Sequence, residues 1–142
     1  GVRAHAWFND VLLYFLDEHA YSPETIDAQG HQGVWIAGDG RADILVRSEW
    51  PIDHLAMTAE SRIPATFAVS MGSSESRVRL EPGKPVTFDV PASGVRDLRS
   101  YAYLLTARSS DGFTPHLQDP TTEDRRNLGV LIRFTAVPKQ TP

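Results

Sequence analysis

Short apolar runs that alternate with period two, cut apart by Gly and Pro, constrain this chain more than any other feature. The clearest is "SRVRLEPGKPVTFDVPA" (76–92). Val78 and Leu80 alternate with Arg77, Arg79 and Glu81, the "EPGKP" turn follows, and Val86, Phe88 and Val90 alternate with Thr87 and Asp89. Successive side chains of a strand point to opposite faces, so this pattern predicts two strands, and the turn between them predicts a hairpin. The same reading makes strands of "GVWIAG" (33–38) and "ADILVRSEW" (42–50), joined by the tight turn "DGR". It extends to "HLAMTAES" (54–61), to "PATFAVSMG" from Pro64, to "YAYLLTARSS" (101–110) and to "LGVLIRFTAV" (128–137). In "PATFAVSMG", Phe67, Val69 and Met71 face away from Thr66, Ala68 and Ser70. Seven or eight strands at roughly 8–12-residue spacing predict an all-β, jelly-roll-like antiparallel β-sandwich of about eight strands.

Two stretches compete for helix. "NDVLLYFLDEHA" (9–20) opens on an Asn/Asp cap signal, but its nearly continuous apolar run favours a buried first strand. "SGVRDLRS" (93–100) reads as a turn or a single helical turn. A chain of 142 residues is expected to form one domain, 1–142, with enough buried surface to fold without staples. Its lack of cysteine excludes thiol catalysis, disulfides and cysteine zinc sites. A net charge of −4 with no basic stripe argues against nucleic acid as partner. The longest apolar run, "VLLYFL" (11–16), falls far short of the ~20 residues of a membrane helix. The chain opens at Gly1 without methionine, as at a processing boundary, and residues 138–142 read as a frayed tail.

The chemistry-bearing groups concentrate in "DGFTPHLQDPTTEDRRNLGVLIRF" (111–134). Asp111, Asp119, Glu123 and Asp124 are oxygen donors of the kind calcium takes, with Asp111, Asp119 and Asp124 the weak calcium candidates, though no dedicated calcium-loop spacing is present. The competing role is structural: Asp119 and Asp124 accept turn hydrogen bonds and Asp124 pairs with an adjacent arginine. One of the two arginines then locks the loop, a role assigned to Arg125, and leaves Arg126 exposed for a ligand. His5, His19, His31, His54 and His116 lack zinc-helix spacing, and no serine sits in a G-x-S-x-G frame. Sugars dock their C–H faces on exposed aromatic rings. Trp35 lies within a strand, as core residues do. Trp50, before Pro51, and Phe113, after Gly112, lie where a ring either fills the end of a sandwich or faces a ligand. Trp7 is expected to meet a neighbour absent from the chain.

Three stretches together, "YFLDEHAYSPE" (14–24), "GVWIAGDGRADILVRS" (33–48) and "SSDGFTPHLQDPTTEDRRNLGVLIRF" (109–134), resemble a bacterial domain family. It is the extracytoplasmic C-terminal β-sandwich, similar to carbohydrate-binding modules, of membrane glycosyltransferases of the mannosyl- and arabinosyltransferase-like type. The family's pattern has Tyr-Pro-Glu where this chain reads "YSPE", and an aromatic before Trp where it reads "GVW". The resemblance implies a non-catalytic domain, with glycosyl transfer in an absent membrane part, and makes residues 1–13 a linker from that part. It also implies that "DGFTPHLQDPTTEDRRNLGV" (111–130) is a long crossover leading into a central strand, with Phe113 plugging the sandwich and Asp124 tied to an arginine.

The leading expectation is an accessory domain outside the cytoplasmic membrane that binds or positions a cell-envelope polysaccharide or oligosaccharide. Trp50, Phe113, His116 and Arg126 are the expected sugar contacts, with no cofactor required and calcium as an option. The second expectation is a structural module packing on its own upstream membrane domain or on a second copy, with Trp7 and "VLLYFL" as an exposed apolar patch. The third, a small glycan hydrolase, needs two carboxylates roughly 5–9.5 Å apart across a cleft.

Overall fold

The alternating runs fold as strands in a computed structural model that describes residues 4–140. In chain order these are β1 (Ala4–Phe8), β2 (Val11–Phe15), β3 (Glu24–Thr25), β4 (Gln32–Ala37), β5 (Ala42–Ser48) and β6 (Ile52–Glu60). They continue as β7 (Ala65–Met71), β8 (Ser76–Leu80), β9 (Val86–Pro91), β10 (Val95–Asp97), β11 (Ser100–Ser109) and β12 (Leu128–Pro138), with one helical turn, α1 (Pro115–Gln118), before β12. The first sheet runs β1-β2-β5-β11-β7-β8 with β10 added on β11, and the second runs β3-β4-β12-β6-β9. The strand pairs are antiparallel. The architecture is the expected antiparallel β-sandwich. Its twelve strands exceed the expected number of about eight: β3 and β10, two and three residues long, leave little alternation to read, and β1 lies in the stretch expected to be a linker.

The core lies between the sheets. Phe8, Leu13, Ile44, Phe67 and Leu105 of the first sheet meet Ile36, Leu55, Met57, Ile132 and Phe134 of the second. The Phe8 and Phe134 rings lie 4.7 Å apart across this layer. Each such side chain contributes about 1.5–3 kcal/mol when withdrawn from water.

The anticipated 76–92 hairpin is a corner instead. Lys84 N–H still donates to Glu81 O (3.1 Å), so the tight turn exists. Beyond it the two strands part: β8 pairs with β7 in the first sheet, whereas β9 pairs with β6 in the second. Alternation reports which face of a strand is buried, not which strand lies beside it, and Val78, Leu80, Phe88 and Val90 all face the shared interior from opposite sheets.

The stretch 9–20 is β2 followed by irregular chain, and 93–100 holds β10 and a turn. The only helical turn among the described residues is α1, where Pro115 opens it and the Asp119 N–H closes it on Pro115 O. Residues read as linker instead form β1, paired with β2 from Ala4↔Phe15 to Phe8↔Val11. At the far end Lys139 N–H donates to Pro51 O (2.9 Å), so the tail is attached at that point. Residues 141–142 of the tail read as frayed, and residues 1–3, lie outside the described residues.

Candidate functional site

Strands β4 and β12 show why the crossover 110–127 takes the course it does. Their apolar runs "GVWIA" and "LGVLI" are continuous, not alternating, and both faces are buried. Val34, Ile36, Val130 and Ile132 enter the main core, while Trp35 and Leu131 point the other way. The crossover covers that second face. Phe113 exchanges both backbone hydrogen bonds with Leu128 (2.8 and 2.7 Å) and sets its ring edge-on to Trp35 at 6.2 Å. The Arg62 guanidinium lies 5.4 and 5.5 Å from the two ring centres. Gly112 allows this docking, because a Cβ there would stand 2.5 Å from Gly38 Cα and 2.3 Å from Asn127 Oδ1.

Within the crossover, charged groups face each other. Arg126 donates through Nε (3.0 Å) and Nη2 (2.8 Å) to the Asp124 carboxylate and through Nη1 (2.8 Å) to Glu24, with its guanidinium 5.1 Å from the Tyr21 ring centre. This pairing holds the Asp124 carboxyl below the usual range and raises Arg126 further. Burial pushes the Tyr21 phenol up. Asp119 accepts from the Thr121 hydroxyl (2.7 Å) and N–H (3.0 Å), which holds its carboxyl low. His116 Nδ1 lies 2.7 Å from Thr122 O, a geometry that fixes the proton on Nδ1 and makes it the donor. Asp111 accepts from the Ser110 hydroxyl (2.8 Å).

These contacts place each residue singled out from the sequence. The lock is Arg126, while Arg125 is exposed and forms no side-chain hydrogen bond or ion pair among the described residues. Residues i and i+2 of an extended segment share a side, which puts Arg126, not Arg125, beside Asp124. Phe113 is 7% exposed and presents no face to a sugar. His116 is turned onto its own loop. Trp50 is half-buried with its Nε1–H directed inward, without a hydrogen-bond partner among the described residues. The calcium candidates are engaged separately, and no group of three or more His, Asp or Glu side chains placed to hold an ion occurs among the described residues.

A different surface carries the features of a binding site. On the outer face of the first sheet, one cross-strand row runs Trp7, Leu12, Arg47, Ala102, Val95 through β1, β2, β5, β11 and β10. Two two-residue turns rise beside it, Asn9-Asp10 between β1 and β2 and Leu98-Arg99 between β10 and β11. Between them lies a groove of about 590 Å³, lined by Trp7, Asp10, Leu12, Arg47, Asp97 and Leu98 among others. Trp7 is 63% exposed and Leu98 88%. Leu98 sits at φ +53°, in the left-handed region that bulky side chains avoid at a cost of about 1–2 kcal/mol. Arg47 spans the floor, with Nε donating to Ser100 Oγ (2.9 Å) and Nη2 3.5 Å from Asp97. The groove thus combines an open indole, two apolar side chains and a fixed polar set. Among the residues singled out from the sequence, Trp7, expected to meet an absent neighbour, and Leu12 of the "VLLYFL" segment belong to it. Its visible signal was the outward parity of Trp7 and Leu12 across the "FNDV" turn.

No family model matches the chain, and no curated protein sequence does. Among solved structures it is similar to TmCBM61, a carbohydrate-binding module whose structure is in complex with beta-1,4-galactotriose. The two are 10% identical over 91% of this chain and 90% of that one, with a TM-score of 0.40. At that overlap neither a residue nor a ligand carries across.

Proposed function

We propose that this domain binds a glycan without transforming it, and that the glycan lies in the groove between the Asn9-Asp10 and Leu98-Arg99 turns. The observation that carries this reading is the exposed Trp7 ring beside Leu12 and Leu98, with Arg47, Asp97 and Ser100 arranged as hydrogen-bonding neighbours. An indole takes the apolar face of a sugar ring, while a guanidinium–carboxylate–hydroxyl set offers donors and acceptors to its hydroxyls. The broader setting rests on the motif resemblance. In that setting the domain is extracytoplasmic, tethered through a neighbouring membrane part, and positions a cell-envelope oligosaccharide for glycosyl transfer performed elsewhere. Affinity is expected between about 1 µM and 1 mM, since a shallow groove buries little apolar area. NMR titration with cell-envelope oligosaccharides tests it. Shifts centred on Trp7, Arg47 and Leu98 support the reading, and an unchanged spectrum with every glycan overturns it.

One observation favours a second reading, a docking module for protein. Of the five large hydrophobic side chains most exposed among the described residues, Trp7, Val95, Leu98 and Leu104 share the outer face of the first sheet. Such patches mark partner surfaces. Concentration-dependent sedimentation that Trp7→Ala abolishes would favour docking over glycan binding.

A further inference from the structure

The face that carries the Trp7 groove continues along β5 and β11 to a second groove of different chemistry. The middle of the face is the next row, His5, Tyr14, Leu45, Leu104. Beyond it, Ala68 of β7 stands between Arg77 of β8 and Arg108 of β11, so a methyl group lies between two guanidinium side chains. Arg41 completes a groove of about 480 Å³ with Thr66, Ser110 and Glu75 among its walls. Three guanidiniums against one carboxylate line it, on a chain whose net charge is −4.

The arginines are not all neutralised. Arg77 bonds Glu75 through Nε (2.6 Å), and Arg41 reaches Asp43 through Nη2 (3.0 Å). Arg108 forms no ion pair or side-chain hydrogen bond among the described residues. Arg79, on the same edge, is paired with Glu81 (Nε to Oε1, 3.3 Å) and donates from Nη1 to Thr66 Oγ1 (3.3 Å). The floor is small and hydroxylated, the walls are cationic, and planar guanidinium forks match carboxylate and phosphate oxygens. From Arg47 to Arg41 along β5 is six residues, about 20 Å.

Resting on the glycan reading, we propose that the ligand is acidic: an extended glycan lying along β5 and β11, its rings over Trp7 and Leu98 and its carboxylate or phosphate groups between Arg108, Arg77 and Arg41. A neutral glycan fills one end of this face, whereas an anionic one satisfies both ends.

The test uses titration calorimetry and NMR on the wild-type chain, Arg108→Gln and Trp7→Ala. The probes are a galacturonate tetramer, its fully methyl-esterified form, and a phosphate-bearing mannose tetramer. The ester keeps the sugar and linkage and removes only the charge. An acidic probe is expected to bind about tenfold more tightly than the ester, and Arg108→Gln to remove that difference. Added salt should weaken only the acidic arm. Stronger binding of the uronate or of the phosphoglycan names the anion. Equal binding of acid and ester, unchanged in Arg108→Gln, overturns the inference and leaves the glycan reading standing. No perturbation at Trp7 by any probe overturns both.

Discussion

The crossover 110–127 and the outer face of the first sheet are opposites in how they use polar groups. The crossover is dense with acids, arginines and a histidine, and most of them are met by a near neighbour: Arg126 by Asp124 and by Glu24 of β3, His116 by Thr122, Asp119 by Thr121. The outer face is modest in composition, yet its Trp7, Leu98 and Arg108 face solvent. The reason is what each must cover. The crossover lies over Trp35 and Leu131, has no ladder for most of its backbone, and can be packed down only with its polar groups satisfied locally. The sheet face already has its backbone paired, so its side chains are free to meet something else. Density of reactive residue types is therefore a poor guide to a binding surface, and unmet exposure is a better one.

The sharpest break of this comparison is Phe113→Ala. It empties the contact with Trp35 and Leu128, and a loss of about 3–5 kcal/mol is expected in chemical denaturation. Any fraction that remains folded should keep its glycan affinity, because the groove belongs to other strands.

Arg126→Met should cost less, about 1–2 kcal/mol, since its partners are only partly shielded from water. It also alters acid stability. Asp124 binds its proton less tightly folded than unfolded, so its pairing contributes fully above the ordinary carboxyl range near pH 4 and is lost as pH falls through the lower folded value. Stability curves of wild type and Arg126→Met should converge toward acid pH. A gap independent of pH would show that the ion pair is not the source.

Trp7→Ala acts on the other region. Because the indole is 63% exposed, its removal should change stability by less than about 0.5 kcal/mol while weakening glycan binding at least about tenfold. A smaller effect is expected from Leu98→Gly. Glycine takes φ +53° without strain, so the thermal midpoint should rise by the equivalent of about 0.5–1 kcal/mol as affinity falls. A fall in both would show that Leu98 serves the fold, not the groove.

Several elements were legible from residues alone. Period-two alternation marked β7, β8 and β9 and their inward faces, and the unbroken "GVWIA" and "LGVLI" runs correspond to strands buried on both sides. Parity could also have decided between Arg125 and Arg126, since only the latter shares a side with Asp124 in an extended chain. Other features left no local trace. The groove joins Trp7, Arg47 and Leu98, residues from three separate segments that become neighbours only through sheet order.

What the sequence determined by itself was which residues are strand and which side of each strand turns inward, because alternation is a local consequence of backbone geometry and hydrophobicity. What only the tertiary structure decided was who lies beside whom: that 76–92 splits between two sheets, and that Trp7, Leu98 and Arg108 share one outer face left exposed by the described residues. Those outcomes depend on pairing between distant strands, where one pattern of inward-facing side chains suits several partners and the packing of the whole domain selects among them.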